Sequence, residues 1–199
     1  MRYDFLIETY ETERIKTLSV WSQIPDARME FRPEPRARSP QEHMVHQCVS
    51  EDTWMRTMLG IAVPMPAVPP AETRLAFLEH YAATSVVRLT ELRGKPEEWF
   101  EGATAFFDTQ RSRAWVVTRR LTHSAHHRAQ LTVYLRLWGQ SLYSTYGPSA
   151  DTGGLFQNGA AVIYRYPSIE RLLTAEESGG EFPPLPGPGQ RAPTERPGG

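Results

Sequence analysis

The sequence predicts an all-α protein, built as a four-helix bundle with an irregular C-terminal extension. Four long segments place apolar residues at helical spacing, and stretches rich in proline or glycine separate them. The length agrees, because 199 residues can bury one sizeable core but are too few for two full domains. We therefore expect one bundle domain over residues 1–175 and a flexible tail, rich in proline and glycine, over residues 176–199.

The first two helices are indicated by apolar spacing and by a capping signal. Residues 3–24 repeat apolar side chains at helical intervals, with charged residues between them. A connection containing four prolines follows. Ser39 precedes Pro40, and Glu42 follows Ser39 by three residues, which is typical of an N-cap with proline at the first helical position. The second helix is therefore predicted over about residues 40–59.

The third and fourth helices show the same spacing. Residues 71–94 form the third predicted helix, which glycine ends. A short helical turn over 96–100 and an irregular or extended piece come next, before the fourth helix over about residues 110–138. In the extension, residues 160–167 are predicted as a short strand or an extended arm, and residues 168–177 as one or two helical turns.

Charge and apolar content exclude several classes of protein. The formal net charge of -1 provides no basic surface for a phosphate backbone, so we expect no nucleic-acid partner. No apolar run approaches the roughly 18 residues of a membrane span, and acidic residues interrupt the N-terminal segment where a signal peptide would be apolar. The single Cys48 cannot form an intramolecular disulfide. We therefore expect a soluble, cytoplasmic protein with no membrane partner.

Histidines are concentrated in two of the predicted helices. Five of the six lie in two short segments: His43, His46, His123, His126 and His127. His123 and His127 are one helical turn apart and share a face, so they can bind the same ion. A third ligand must come from another segment, and helix two offers Cys48, Glu51, Asp52 and the two histidines His43 and His46. Helical spacing does not choose between these two.

Two short motifs resemble those of a known family of metal-binding helical bundles. Residues 123–130, HSAHHRAQ, contain HxxxH followed by Arg-x-Gln, and residues 46–51, HQCVSE, contain a histidine followed five residues later by an acid. In combination they resemble the DinB-like superfamily over about residues 1–139. The usual HHRGQ of that family has glycine where this chain has Ala129, a departure that changes no ligand.

This resemblance implies a DinB-like four-helix bundle in which His46, His123 and His127 hold one divalent metal ion, zinc or nickel. Members of the family often form homodimers. Their activities include S-transfer with bacillithiol or mycothiol, mycothiol-dependent maleylpyruvate isomerisation, and metal-dependent hydrolysis. We therefore expect a metal-dependent transferase or hydrolase that acts on a small molecule, with a low-molecular-weight thiol as a further cofactor and a homodimeric assembly.

Both expected activities use the same open metal position. An ion held by three histidines can lower the pKa of a bound water to about 7, or bind a thiol as the thiolate. A hydrolase also needs a general base, and Glu51 is the nearest sequence candidate, with Asp52 beside it. Gln130 follows the HxxxH motif by three residues and is expected to hydrogen-bond a ligand imidazole or a substrate.

Two alternatives remain open at this point. In the first, the ion ties helix two to helix four in a non-catalytic stress or structural protein. In the second, the histidines are hydrogen-bonded core residues that bind no metal. Four arginines also crowd the first half of helix four, where we expect a solvated or interface-forming basic face, with the binding of an anionic substrate as the alternative: Arg111, Arg113, Arg119 and Arg120.

Overall fold

The computed structural model describes residues 2–191 and residue 194. This part of the chain contains α1 Asp4–Ser22, α2 Pro40–Thr53, α3 Arg74–Arg93, α4 Glu97–Glu101, β1 Ala103–Phe106, β2 Thr109–Ser112, α5 Arg113–Leu137 and α6 Ile169–Glu177. The four long helices α1, α2, α3 and α5 form the bundle, which confirms the predicted all-α fold class. Within the described residues, no helix has the length and apolar content that a membrane crossing requires.

Helix α2 begins where its capping signal predicts. The Ser39 hydroxyl accepts a hydrogen bond from the Glu42 backbone N–H at 3.3 Å, and the Glu42 carboxylate accepts one from the Ser39 backbone N–H at 2.9 Å. The helix does not continue regularly to its predicted end. After Thr53 the chain forms a π-helix over Trp54–Met58, in which the Leu59 N–H donates to the Trp54 carbonyl at 3.2 Å.

The start of α5 differs from the prediction by three residues. Thr109–Ser112 forms β2, which pairs antiparallel with β1 in a hairpin, and α5 starts only at Arg113. The Ser112 hydroxyl accepts a hydrogen bond from the Trp115 N–H at 3.2 Å and so caps the helix. The hairpin places Phe107 at its tip with φ 54° and a side chain that is 69% exposed.

The core lies where α1 packs against α3 and α5, and α2 closes the bundle against α5. One buried cluster surrounds Trp21, whose ring contacts Phe77 and Tyr81 at centroid distances of 6.4 and 5.0 Å. A second cluster includes Met55 and Phe100. Both α2 and α5 contribute buried side chains to the first cluster, and full burial of one such side chain contributes about 1.5–3 kcal/mol, so this core holds the two helices together. The candidate site lies between those two helices.

The C-terminal extension packs on the bundle, and residues 160–167, predicted as a short strand or an extended arm, form no strand and have no regular structure. Helix α6 lies within residues 168–177, where helical turns are predicted. Its Glu176 is buried and pairs with Arg165 at 2.9 Å and with Arg74. Further on, the Gly187 N–H donates to the Asp151 carbonyl at 2.9 Å. Residues 192, 193 and 195–199 of the predicted flexible tail lie outside the described residues, and the domain boundary at residue 175 stays a prediction.

Candidate metal centre

Three histidines from two helices meet at one point between α2 and α5. His46 comes from α2, and His123 and His127 come from α5. One ring nitrogen from each lies within 4.8 Å of the other two. Among the described residues, this is the one group of three or more potential ligands close enough to share an ion. His127 is buried, while His46 and His123 are half-buried and reach the surface.

The spacing of the nitrogens fits a transition-metal ion. His46 Nε2 and His123 Nε2 are 3.3 Å apart. Two nitrogens bound tetrahedrally to zinc at about 2.0–2.1 Å lie roughly 3.3 Å from each other. Three imidazole nitrogens are also a donor set that suits both zinc and nickel. The residues present therefore fit a divalent ion, and the three ligands found among the described residues are fewer than the four of a closed structural zinc site.

The three imidazoles are in the protonation state that a ligand needs. Burial, followed by the charge of Arg120, lowers the pKa of His123 to about 3. Burial, followed by the proximity of His46, lowers the pKa of His127 to about 4. Burial also lowers the pKa of His46, with Arg38 as the next cause. All three side chains are neutral at pH 7, so they need not lose a proton before binding a metal.

Gln130 fixes the orientation of one of these rings. Its Oε1 lies 2.9 Å from His127 Nδ1. An amide oxygen can only accept, so His127 Nδ1 carries the hydrogen and the Nε2 lone pair is left free for an ion. This is the kind of contact that the sequence suggests for Gln130. His123 Nδ1 has no hydrogen-bond partner among the described residues, and its ring instead packs against Trp54 at 5.2 Å.

The remaining candidates around the site take other positions. His43, the alternative ligand on α2, is buried with its ring 5.3 Å from that of His127, but it lies outside the group of three. His126 is exposed and packs its ring against His127 at 4.9 Å. Cys48 is buried in the core, and burial raises the pKa of its thiol to about 12. The thiol is therefore protonated at neutral pH, and it lies outside the group of three.

Glu51 lies in a buried polar network. Its side chain is 1% exposed, and its two oxygens accept hydrogen bonds from Tyr10 Oη at 2.6 Å and Tyr81 Oη at 3.3 Å. Arg88 and Arg120 approach the same carboxylate at 3.5 and 3.8 Å. Burial and the Glu51 charge raise the pKa of both tyrosines, so the hydroxyls keep their protons and donate. Because both oxygens are occupied, the general-base role of Glu51 stays a prediction that these contacts do not favour.

Arg120 links that network to the histidines. It is 1% exposed, and it donates to Ser50 Oγ at 2.8 Å and to Ser124 Oγ at 3.0 Å. Its guanidinium also lies over the ring of Trp54, the first residue of the π-helix, at 5.4 Å. The expected solvated basic face is therefore wrong for Arg120, because the Glu51 carboxylate compensates its buried charge.

One feature of the sequence indicates that Arg120 faces the site. Arg120 is seven residues before His127, and Ser124 is three residues before it, so all three share one face of α5. Arg111 and Arg119, in contrast, are exposed as expected.

Fold and site together define the class: a four-helix bundle in which two helices bring three histidines to one potential metal site. A model of the DinB family matches residues 3–155, and the chain therefore belongs to the DinB family. A DinB-like protein from Bacillus cereus has a similar structure, with 14% identity, a TM-score of 0.63, and coverage of 71% of this chain and 95% of that one. A DinB-like protein from Bacillus subtilis matches at 14% identity and a TM-score of 0.55, covering 69% and 94%. No curated protein matches the chain.

Proposed function

We propose that this chain is a metal-dependent enzyme that acts on a small molecule through a divalent ion, zinc or nickel, held by His46, His123 and His127. The observation that carries the proposal is the convergence of three neutral imidazoles within 4.8 Å at a half-buried point of the bundle. A closed structural zinc site normally has four protein ligands, whereas three leave room for a substrate.

The residues of the proposed site have separate roles. A divalent ion at this point would supply Lewis-acid chemistry that activates a thiol or a water. His46 and His123 are the partly exposed members of the group, so a substrate approaches from their side. Gln130 holds the His127 ring in place through the 2.9 Å contact. The guanidinium of Arg120 lies over the ring of Trp54, which packs against His123, so it supports this ligand from the protein side.

Of the two reactions considered, thiol S-transfer is the one that the surroundings favour. A hydrolase needs a general base that takes a proton from water, and both oxygens of Glu51 are occupied by tyrosines and arginines. A low-molecular-weight thiol has a pKa of about 8.5 and is far more acidic than water, so at a divalent ion it would lose its proton to solvent without a protein base and then be the nucleophile itself. Its sulfur forms a bond to an electrophilic carbon, and the leaving group departs with its electron pair. We include such a thiol as a cosubstrate, and a homodimer as the assembly, both on the resemblance to the family.

A second candidate function rests on the position of the site between two helices. Since His46 lies on α2 and the other two ligands on α5, an ion would tie these helices together in a metal-binding stress or structural protein without turnover. In that protein, removing the metal would lower stability and change no reaction rate.

Turnover measurements on zinc- and nickel-loaded full-length protein separate the two functions. The assay follows the loss of free thiol in the presence of a panel of alkylating electrophiles, with metal-free protein as the blank. We expect turnover that disappears with the metal and in His123→Ala, and that persists in His126→Ala, where the exposed neighbouring histidine is removed. Bound metal without loss of thiol above the metal-free blank would favour the non-catalytic function.

A further inference from the structure

An open cleft of about 730 Å³ starts at His46 and runs along the exposed side of α2. This volume is within the range of small-molecule sites, which is roughly 300–1,000 Å³. Val45 and Val49 of α2 provide apolar wall, and the connection before α2 contributes three arginines, Arg32, Arg36 and Arg38. The cleft is therefore cationic on one side, apolar on the other, and adjacent to a proposed metal ligand.

Most of the charges around this cleft already have partners. Arg32 pairs with Glu42, which also completes the cap of α2. Arg36 pairs with Glu34 at 3.0 Å. The second acid of the cleft, Glu72, accepts a hydrogen bond from Gln41 at 2.9 Å.

Arg38 is different from these residues. Within the described part of the chain, its guanidinium has neither a hydrogen bond nor an ion pair, so it is the lining charge that remains available to a ligand. The two paired arginines are at the surface, where such pairs contribute little and can exchange partners.

The backbone holds Arg38 beside the histidines. Its carbonyl accepts a hydrogen bond from Tyr134 Oη at 2.8 Å, which ties this residue to α5 just before α2 begins at Pro40. Arg38 and His46 line the same cleft. One small molecule in the cleft could therefore contact both residues.

We propose that this cleft is the substrate-binding site of the metal centre, and that Arg38 binds an anionic group, a carboxylate or a phosphate, of the substrate. A guanidinium binds either group through two parallel N–H donors, and an apolar wall next to it accommodates a short carbon chain. The substrate is thus a small organic acid or phosphate ester whose reactive atom lies next to His46, where the ion would bind. This inference rests on the proposed function. It assigns anion binding to the connection before α2 and not to the arginines of α5, none of which lines the cleft.

The test is a calorimetric titration of full-length protein at pH 7 and low ionic strength with two probes, succinate and inorganic phosphate, before and after zinc loading. We expect one site per chain for at least one probe. The tighter probe shows whether the group bound is a carboxylate or a phosphate. Arg38→Gln should weaken binding about tenfold or more, because hydrogen bonds to charged groups contribute about 1.5–3 kcal/mol. The affinity of Arg38→Lys should lie between those of wild type and Arg38→Gln, because lysine keeps the charge and lacks the paired donors.

Arg119→Gln is the matched control, because it removes the same charge from an exposed arginine outside the cleft and should leave binding unchanged. Binding of neither probe, or equal binding to wild type and Arg38→Gln, would overturn the inference. The proposed function can fail separately. A chain that takes up neither zinc nor nickel but binds the probe through Arg38 would retain the anion site and refute the proposed metal-dependent enzyme. A chain that binds zinc but binds the probes independently of Arg38 would overturn the anion site and leave the proposed metal-dependent enzyme standing.

Discussion

Replacing Glu51 by glutamine tests whether this residue anchors the buried network or acts on substrate. The variant keeps the shape of the side chain and removes its charge, which leaves the buried Arg120 without its carboxylate partner and Arg88 with Asp52 alone, at 3.5 Å. Removing one partner of a buried pair costs about 3–5 kcal/mol. For a domain of this size, each kcal/mol lowers Tm by about 2–4 °C. We therefore expect Tm to fall by about 6–20 °C.

Thermal unfolding of zinc-loaded protein at pH 7, with metal content measured on the same samples, provides the assay. The matched control is Glu11→Gln, which breaks the Glu11–Arg93 pair, where both side chains are about half exposed. That change should cost less than about 1 kcal/mol. If Glu51→Gln keeps wild-type stability and loses only thiol or ester turnover, Glu51 is a general base and the reasoning from the network is refuted.

Two more predictions concern the histidines. Gln130→Ala removes the acceptor of the His127 Nδ1–H and should weaken metal affinity by about 10–100-fold, measured by competition titration with a chromophoric chelator. The control His126→Ala should keep the wild-type affinity. Equal affinities of Gln130→Ala and wild type would show that Gln130 does not support the metal site. In metal-free folded protein, the pKa is about 4 for His43 and His127 and about 3 for His123. The unfolded value is about 6.5 for each, so the unfolded state binds more protons in acid than the folded state. Stability should therefore be complete above about pH 6.5 and decline as the pH falls towards 3–4; a urea midpoint that stays constant from pH 7 to pH 4.5 would contradict these shifts.

Local signals were enough to predict much of this molecule. The capping box placed the start of α2 at Pro40, because every group in it is within three residues of the next. The one-turn spacing placed His123 and His127 on one face of α5. Local signals did not predict the β1–β2 hairpin, since a four-residue strand directly before a helix has too few residues to show its own period.

Features that depend on contacts between distant helices could not be predicted. Spacing within α2 allows either His43 or His46 to face α5, and the packing of the bundle decides between them. The burial of Arg120 likewise depends on Glu51, which comes from another helix 69 residues earlier in the chain. The π-helix that begins at Trp54 places an aromatic ring against His123, and no spacing in the sequence indicates it.

The central claim is that His46, His123 and His127 hold one metal ion. The most direct test is the metal content, by mass spectrometry, of protein purified without a histidine tag, compared with His46→Ala, His123→Ala, His127→Ala and the control His43→Ala. We expect about one divalent ion per chain in wild type and in His43→Ala, and its loss in each of the other three. No bound metal in wild type, with none taken up after zinc or nickel is added, would contradict the account and leave the histidines as core residues.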